Sequence, residues 1–225
     1  MKTALIAAGL LFGGLVFAEA DFGKIYAEAG KAAKAKDYAA AEAKYGEALT
    51  AARDSKQKCQ AILGKFQAMR GQKKKLAAEK FALDAVENER IDSPQIREIL
   101  NAVAYPMIWD GRQEQARDLL QQARSCECPN DSNTFFTTFS YLATIHLNKK
   151  EPQEAIAVLT NVTQVRNQHD ANHFAAHMKI AQAYEQLGKK DEALRHYRLA
   201  LEHGKKVKYK FDCSPAEKAI ERMSR

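Results

Sequence analysis

The sequence predicts an all-α protein built from repeated helical hairpins, and three observations support this prediction. Apolar residues recur at helical spacing on both sides of Gly188, within the stretch Met178–Leu201. A small residue followed four positions later by a bulky one recurs along the chain every 36 to 39 residues. Lys, Glu and Ala are abundant, whereas the 225 residues include only 11 Gly and 5 Pro, which is typical of a helical chain.

The stretch around Gly188 shows the hairpin most clearly. Gly is common just after the end of a helix because it adopts the left-handed conformation at little cost. We therefore expect one helix to end at this glycine and a second to begin after it. Small residues on both sides indicate a close helix–helix seam, and two tyrosines fill the space beside them. The apolar positions are Ile180, Ala181, Ala183, Tyr184 and Leu187 before the turn, and Ala193, Leu194, Tyr197, Ala200 and Leu201 after it.

The repeated pair of residues has a recognisable pattern. Its five copies are Ala41/Tyr45, Ala77/Phe81, Ala116/Leu120, Ala155/Leu159 and Ala193/Tyr197. Together with the upstream residues, they resemble the tetratricopeptide repeat (TPR), over about residues 22–205. The resemblance implies a right-handed solenoid of about five TPR-like helical hairpins. In such solenoids the first helix of each pair lines a concave groove that holds a segment of another protein.

By position, the resemblance also indicates which residues line the groove. Among these, Tyr105 and Trp109 flank Pro106, and Trp and Tyr are enriched at binding hot spots. The alternative is that Trp109 fills a gap left by a proline kink between neighbouring hairpins. The predicted partner-binding residues are Lys65, Asn101, Tyr105, Trp109, Ser140, Thr144, Asn148 and Gln182.

The N-terminus has the pattern of a cleaved secretory signal peptide. Lys2 precedes an uncharged apolar run from Ala4 to Phe17, and small residues surround Glu19. This run is shorter than the ~20 residues that a membrane span needs. We therefore expect residues 1–20 to be removed and the product to be exported, periplasmic or extracellular, without a membrane span.

The rest of the chain divides into two predicted parts: a TPR-like repeat domain over residues 21–211 and a C-terminal capping helix over residues 212–225. The formal net charge is +7. In an exported protein this charge favours acidic partners, including anionic envelope polymers, over nucleic acid. The densest basic runs are Lys73–Lys75 and Lys205–Lys210. Cations after helix ends also suit the helix dipole, which is the alternative for both runs.

Two groups of residues allow other chemistry. An even number of cysteines in an exported chain suggests disulfides, and four cysteines permit three pairings. In a linear stack, Cys59 and Cys213 lie too far apart to be joined. A Cys126–Cys128 bridge would close a small strained ring, the kind that favours thiol–disulfide exchange, so a redox function is one alternative.

The second group consists of His169, His173 and His177, which recur every four residues. Two histidines one helical turn apart can share Zn²⁺ or Cu²⁺. Solvated or capping histidines are the alternative, and we do not predict a metal or any other cofactor.

The sequence contains no phosphate-binding loop, nucleophile elbow or other recognised catalytic motif. We therefore expect a scaffold rather than an enzyme, binding a protein or peptide in a cell-envelope assembly. A thiol-redox or metal-binding protein and a binder of anionic polymers are the alternatives.

Overall fold

A computed structural model describes residues 21–129, 132–166, 168–209 and 211–225. Within these ranges the chain forms eleven α-helices and no strand. Their bounds are α1 Phe22–Lys34, α2 Tyr38–Ala51, α3 Ser55–Gly71, α4 Lys75–Asn88, α5 Ser93–Trp109, α6 Gln113–Ser125, α7 Asn133–Asn148, α8 Pro152–Thr163, α9 Asp170–Gln186, α10 Lys190–Lys206 and α11 Ser214–Ser224. The predicted all-α fold is thereby confirmed. The predicted signal peptide lies outside the described residues.

The first ten helices form five consecutive hairpins stacked into a solenoid. Each helix packs on the next one along the chain, and the first helices also pack on one another, α1 on α3, α3 on α5, α5 on α7 and α7 on α9. One face of the stack is therefore made from the first helix of every hairpin. Helix α5 continues through Pro106 to Trp109.

Small residues form the seam of each hairpin, as predicted, but the second copy is shifted by one position. Ala41, Ala116, Ala155 and Ala193 have no exposed surface. In α4 the buried residues are instead Ala78 and Ala82, whereas Ala77 is exposed. The expected pair Ala77/Phe81 was therefore wrong by one residue. The α3–α4 connection determines the rotation of α4, and a four-residue pattern within one helix does not reveal it.

All five hairpin turns have the same backbone conformation. One residue in each turn is left-handed, with φ between 62° and 81°, and the next N–H donates to a carbonyl five residues back, at 2.9 to 3.1 Å. This is the Schellman motif, which satisfies carbonyls at a helix end. The left-handed residues are Lys36, Lys73, Gly111, Lys150 and Gly188. Gly71 is the last residue of α3, two positions before the left-handed Lys73.

Two glycines allow α3 to approach α2 closely. A Cβ atom added to Gly64 would lie 2.4 Å from Cε1 of Tyr45, and one added to Gly71 would lie 2.6 Å from the Tyr38 ring. Tyr45 is buried beside Ala41 and Ala68. Because Gly64 and Gly71 have no side chain, the rings of Tyr45 and Tyr38 can pack directly against the backbone of α3.

A cation in each of the second, third and fourth turns pairs with a glutamate on the second helix of the preceding hairpin. The pairs are Lys74–Glu42, Arg112–Glu79 and Lys149–Glu114. In the middle pair, both guanidinium ends of Arg112 donate to the Glu79 carboxylate at 2.7 Å, and Glu79 is only 6% exposed. This buried bidentate pair joins the second hairpin to the third.

Helix α11 packs on α10 at the C-terminal end of the stack, burying Ala216 and Ala219. Arg222 of α11 donates to the Glu185 carboxylate of α9 at 2.7 and 2.8 Å. No helix of the described residues has the length and apolar character required to cross a membrane.

Candidate partner-binding groove

The face made by α5, α7 and α9 contains an open depression of ≈ 620 Å³, which we call the groove site. Four of the predicted partner-binding residues line it: Trp109, Thr144, Asn148 and Gln182. They come from three different hairpins, and the stacking of the first helices brings them together. The remaining lining residues are Leu147, Lys150, Lys179 and Gln186.

Trp109 and Tyr105 lie one turn apart on α5 and present aromatic surface. Trp109 is 61% exposed and Tyr105 is 47% exposed. The Tyr105 ring also contacts Tyr141 of α7, with ring centroids 5.3 Å apart. Trp109 therefore does not fill a gap in the core. Large exposed aromatic side chains beside a depression are suited to anchoring a partner.

The charged centre of the groove site is Lys179, which was not among the predicted residues. Its Nζ donates to Oγ1 of Thr144 at 2.9 Å, and burial lowers the pKa of its ammonium group. None of the residues that line the site is acidic. The sequence did contain a signal, because Lys179 lies three residues before Gln182 and so shares its helix face.

The structure buries two of the predicted partner-binding residues. Asn101 is only 3% exposed; its amide donates to the carbonyl of Thr134 at 3.1 Å and accepts from Thr138 at 3.0 Å. Ser140 is 7% exposed. That these two residues contact a partner stays a prediction, and their burial does not favour it. Asn101 instead joins α5 to α7.

Lys65 lies on α3, outside the groove site. Its Nζ is 4.5 Å from the centroid of the Phe81 ring, a cation–π contact within its own hairpin. The predicted set of residues therefore includes members at two separate places along the solenoid.

The four cysteines are unpaired thiols in the structure. Burial raises the pKa of Cys59, and burial also raises that of Cys126 despite the nearby guanidinium of Arg97. A raised pKa reduces the thiolate fraction that exchange chemistry needs. The Cys126–Cys128 disulfide remains a prediction, and this geometry does not favour a reactive thiolate at Cys126.

The structure separates His169 from the other two histidines of the predicted series. His169 is exposed and precedes the first residue of α9, whereas His173 and His177 are buried between α9 and α10. A third histidine, His203 of α10, lies close to both of them. Lys206 and Lys208, from the basic run after His203, line a separate cleft of ≈ 790 Å³ with residues 168–172.

Comparisons with known proteins identify the fold. No family model matches the chain, and no curated protein matches it. Among solved structures, the chain is similar to MamA, at 17% identity and a TM-score of 0.59, over 85% of this chain and 97% of MamA.

Two further similar structures are described as TPR proteins. YrrB, "a TPR protein with an unusual peptide-binding site", matches at 17% identity and a TM-score of 0.57, over 91% of this chain and all of YrrB. TTC0263, a thermophilic TPR protein of Thermus thermophilus, matches at 15% identity and a TM-score of 0.55, over 91% of this chain and 99% of TTC0263. These likenesses show that the chain has the helical-repeat fold found in TPR proteins.

Proposed function

We propose that this protein is a non-catalytic scaffold that binds an extended segment of another protein in the groove site. The observation that carries the proposal is the pairing of an exposed Trp109 with the partly buried cation Lys179 across a concave surface without acidic residues. An aromatic anchor and a desolvated charge are both typical of binding hot spots. The peptide-binding site named for YrrB, a protein of similar fold, is consistent with this proposal.

The chemistry of the groove site favours a partner with a carboxylate. Lys179 has no carboxylate within ion-pairing distance among the described residues, and its only hydrogen bond there is to the neutral hydroxyl of Thr144. Burial separates the Lys179 ammonium group from water, and a partner carboxylate would stabilise its positive charge through a charge-assisted hydrogen bond. Apolar partner groups would pack on Trp109 and Tyr105.

The proposal includes export and an envelope assembly. This part is supported by the signal-like pattern of residues 1–20 and by the basic composition. The alternative as a binder of anionic polymers is supported by the basic residues Lys206 and Lys208 in the second cleft.

The first test is a cross-linked pull-down with the tagged protein from the envelope fraction of its native cells. We expect the Tyr105→Ala/Trp109→Ala variant to lose the captured protein and Tyr209→Ala to retain it. Tyr209 is the control because it is also well exposed, at 66%, but lies in the second cleft, outside the groove site. Equal capture by all three proteins would contradict the groove site, and capture of anionic polymer alone would favour the alternative.

A second test measures binding at the groove site directly. Trp109 is the only tryptophan of the sequence, so its fluorescence reports events at this position. Peptides with and without a terminal or side-chain carboxylate, taken from the captured protein, are titrated against the parent and Lys179→Gln. Loss of a charge-assisted bond worth about 1.5–3 kcal/mol should weaken binding about 10- to 100-fold. Unchanged affinity would remove Lys179 from the site.

A further inference from the structure

Three imidazoles from two helices come together at the α9–α10 seam. One ring nitrogen of each of His173, His177 and His203 lies within 4.8 Å of a ring nitrogen of the other two. His173 and His177 are one turn apart on α9 and are 6% and 8% exposed, and His203 of α10 is partly exposed. We call these three residues the histidine cluster. Three imidazole nitrogens at one place are an arrangement that binds transition metals.

Hydrogen bonds outside the cluster determine which nitrogens remain available. Nδ1 of His203 lies 2.8 Å from Oδ1 of Asp170, and Nε2 of His173 lies 3.2 Å from the carbonyl of Val165. Both partners are acceptors, so each ring donates its N–H outward and keeps a lone pair on its other nitrogen. Metal-binding histidines are usually oriented in this way, by a carboxylate or a backbone carbonyl.

The remaining nitrogen of His173 has no hydrogen-bond partner. Its Nδ1 is buried and unsatisfied among the described residues. Buried polar atoms are nearly always paired, and an unpaired one is energetically unfavourable. A metal ion bound at this nitrogen would provide the missing partner, so the atom is an observation in favour of a ligand that is independent of the clustering.

The remaining member of the cluster, His177, contacts a fourth histidine, His196 of α10. Nδ1 of His177 lies 3.0 Å from Nδ1 of His196, so one of these two nitrogens carries the proton between them. When His177 donates, its Nε2 keeps a lone pair for a metal. In the structure, the exposed Arg195 lies 3.3 Å from Nε2 of His196 and can only donate to it, so metal binding at His177 requires the His196 proton to shift to Nε2 and Arg195 to move away. His196 is therefore a positioning residue and not a ligand.

We propose that His173, His177 and His203 bind one divalent transition-metal ion, of the class of Zn²⁺, between α9 and α10. Zn²⁺ binds imidazole nitrogen at about 2.0–2.1 Å, so nitrogens around a tetrahedral ion lie about 3.4 Å apart. The ring nitrogens, which lie within 4.8 Å of one another, reach this spacing when the side chains close by up to about 1.4 Å. The fourth position is left to water or an external ligand. The site joins the two helices of the fifth hairpin and is separate from the groove site.

The test is a titration of the metal-free protein, carrying a tag without histidine, with Zn²⁺ followed by calorimetry and thermal unfolding. We expect one ion per chain. At a hundredfold excess over Kd, the melting temperature should rise by about 5–10 °C. X-ray absorption at the zinc edge should show imidazole nitrogen at about 2.0 Å.

Variants distinguish this site from others in the chain. His203→Gln should lose the binding, whereas His169→Gln and the double variant Cys126→Ser/Cys128→Ser should retain it. If His203→Gln does not fold, Asp170→Asn takes its place, because it keeps all three ligands and should weaken binding about 10- to 100-fold by releasing His203. No shift with Zn²⁺, or a shift that disappears only in the cysteine variant, would overturn the proposal.

Discussion

Replacing Gly64 by Ala should destabilise the protein, although the same replacement at Gly46 should stabilise it. Both glycines lie inside helices, where Ala is preferred over Gly by about 1 kcal/mol. They differ in the space beside them. A Cβ atom on Gly46 would lie 3.7 Å from the flexible Nζ of Lys65, whereas one on Gly64 would lie 2.4 Å from the buried ring of Tyr45.

The expected magnitudes follow from these two contacts. Overpacking a buried site costs about 1–3 kcal/mol. Three Tyr45 ring atoms lie within 2.7 Å of the added Cβ, so the cost at Gly64 should be at the upper end, about 2–3 kcal/mol. After the helix-propensity gain of about 1 kcal/mol, Gly64→Ala should lower the free energy of unfolding by about 1–2 kcal/mol. Gly46→Ala should raise it by about 0.5–1 kcal/mol. For a chain of this length, the two variants should then differ in melting temperature by about 4–10 °C.

Far-UV circular dichroism during thermal and urea unfolding measures both variants beside the parent. Repeat proteins do not always unfold in one step, so the whole transition is compared and not only its midpoint. Placing Gly64→Ala in a Tyr45→Leu background should shrink its penalty, because the smaller side chain leaves room for the added methyl group. If Gly64→Ala were as stable as Gly46→Ala, the close packing of the Tyr45 ring against position 64 would be refuted.

Three further predictions concern other parts of the fold. Lys150→Gly should stabilise the protein by about 1 kcal/mol in urea unfolding, because Lys150 is left-handed at φ 62° and Gly adopts this conformation without strain; the same change at the exposed, right-handed Lys190 should destabilise it. Arg112→Met should cost about 3–5 kcal/mol, since it leaves the buried Glu79 carboxylate without its cation; a smaller loss when Glu79→Gln is added would identify that charge as the cause. Finally, Cys59 is 2% exposed and burial raises the pKa of its thiol, so it should resist alkylation until the protein unfolds, as mass spectrometry would detect. Rapid labelling of the native protein at this position would contradict its burial.

The sequence predicted only some of the residues that line the groove site. Trp109, Thr144, Asn148 and Gln182 line one surface in the structure, because the repeat length assigns equivalent positions to equivalent faces. Asn101 also occupies such a position, but it is buried against α7. Whether a polar side chain faces the groove or the next helix depends on how the helices pack, which residue spacing does not specify.

The histidine cluster shows the same limit for contacts between helices. The spacing of His173 and His177 already indicated a shared face, because four residues make about one turn of an α-helix. The sequence also suggested His169 as the third member, but this residue precedes the helix and lies outside the cluster. His203 takes that place from a different helix, 26 positions further along the chain.

The sequence by itself determined the class of fold, the number of hairpins and four of the five alanine seams, because these follow from periodicity within a helix and from the recurrence of one hairpin. Only the tertiary structure decided the register of α4, the burial of Asn101, and the meeting of Lys179 with Trp109 and of His203 with His173. The physical reason is that contacts within a helix are fixed by its 3.6-residue turn, whereas contacts between helices depend on how side chains of different sizes pack at each interface.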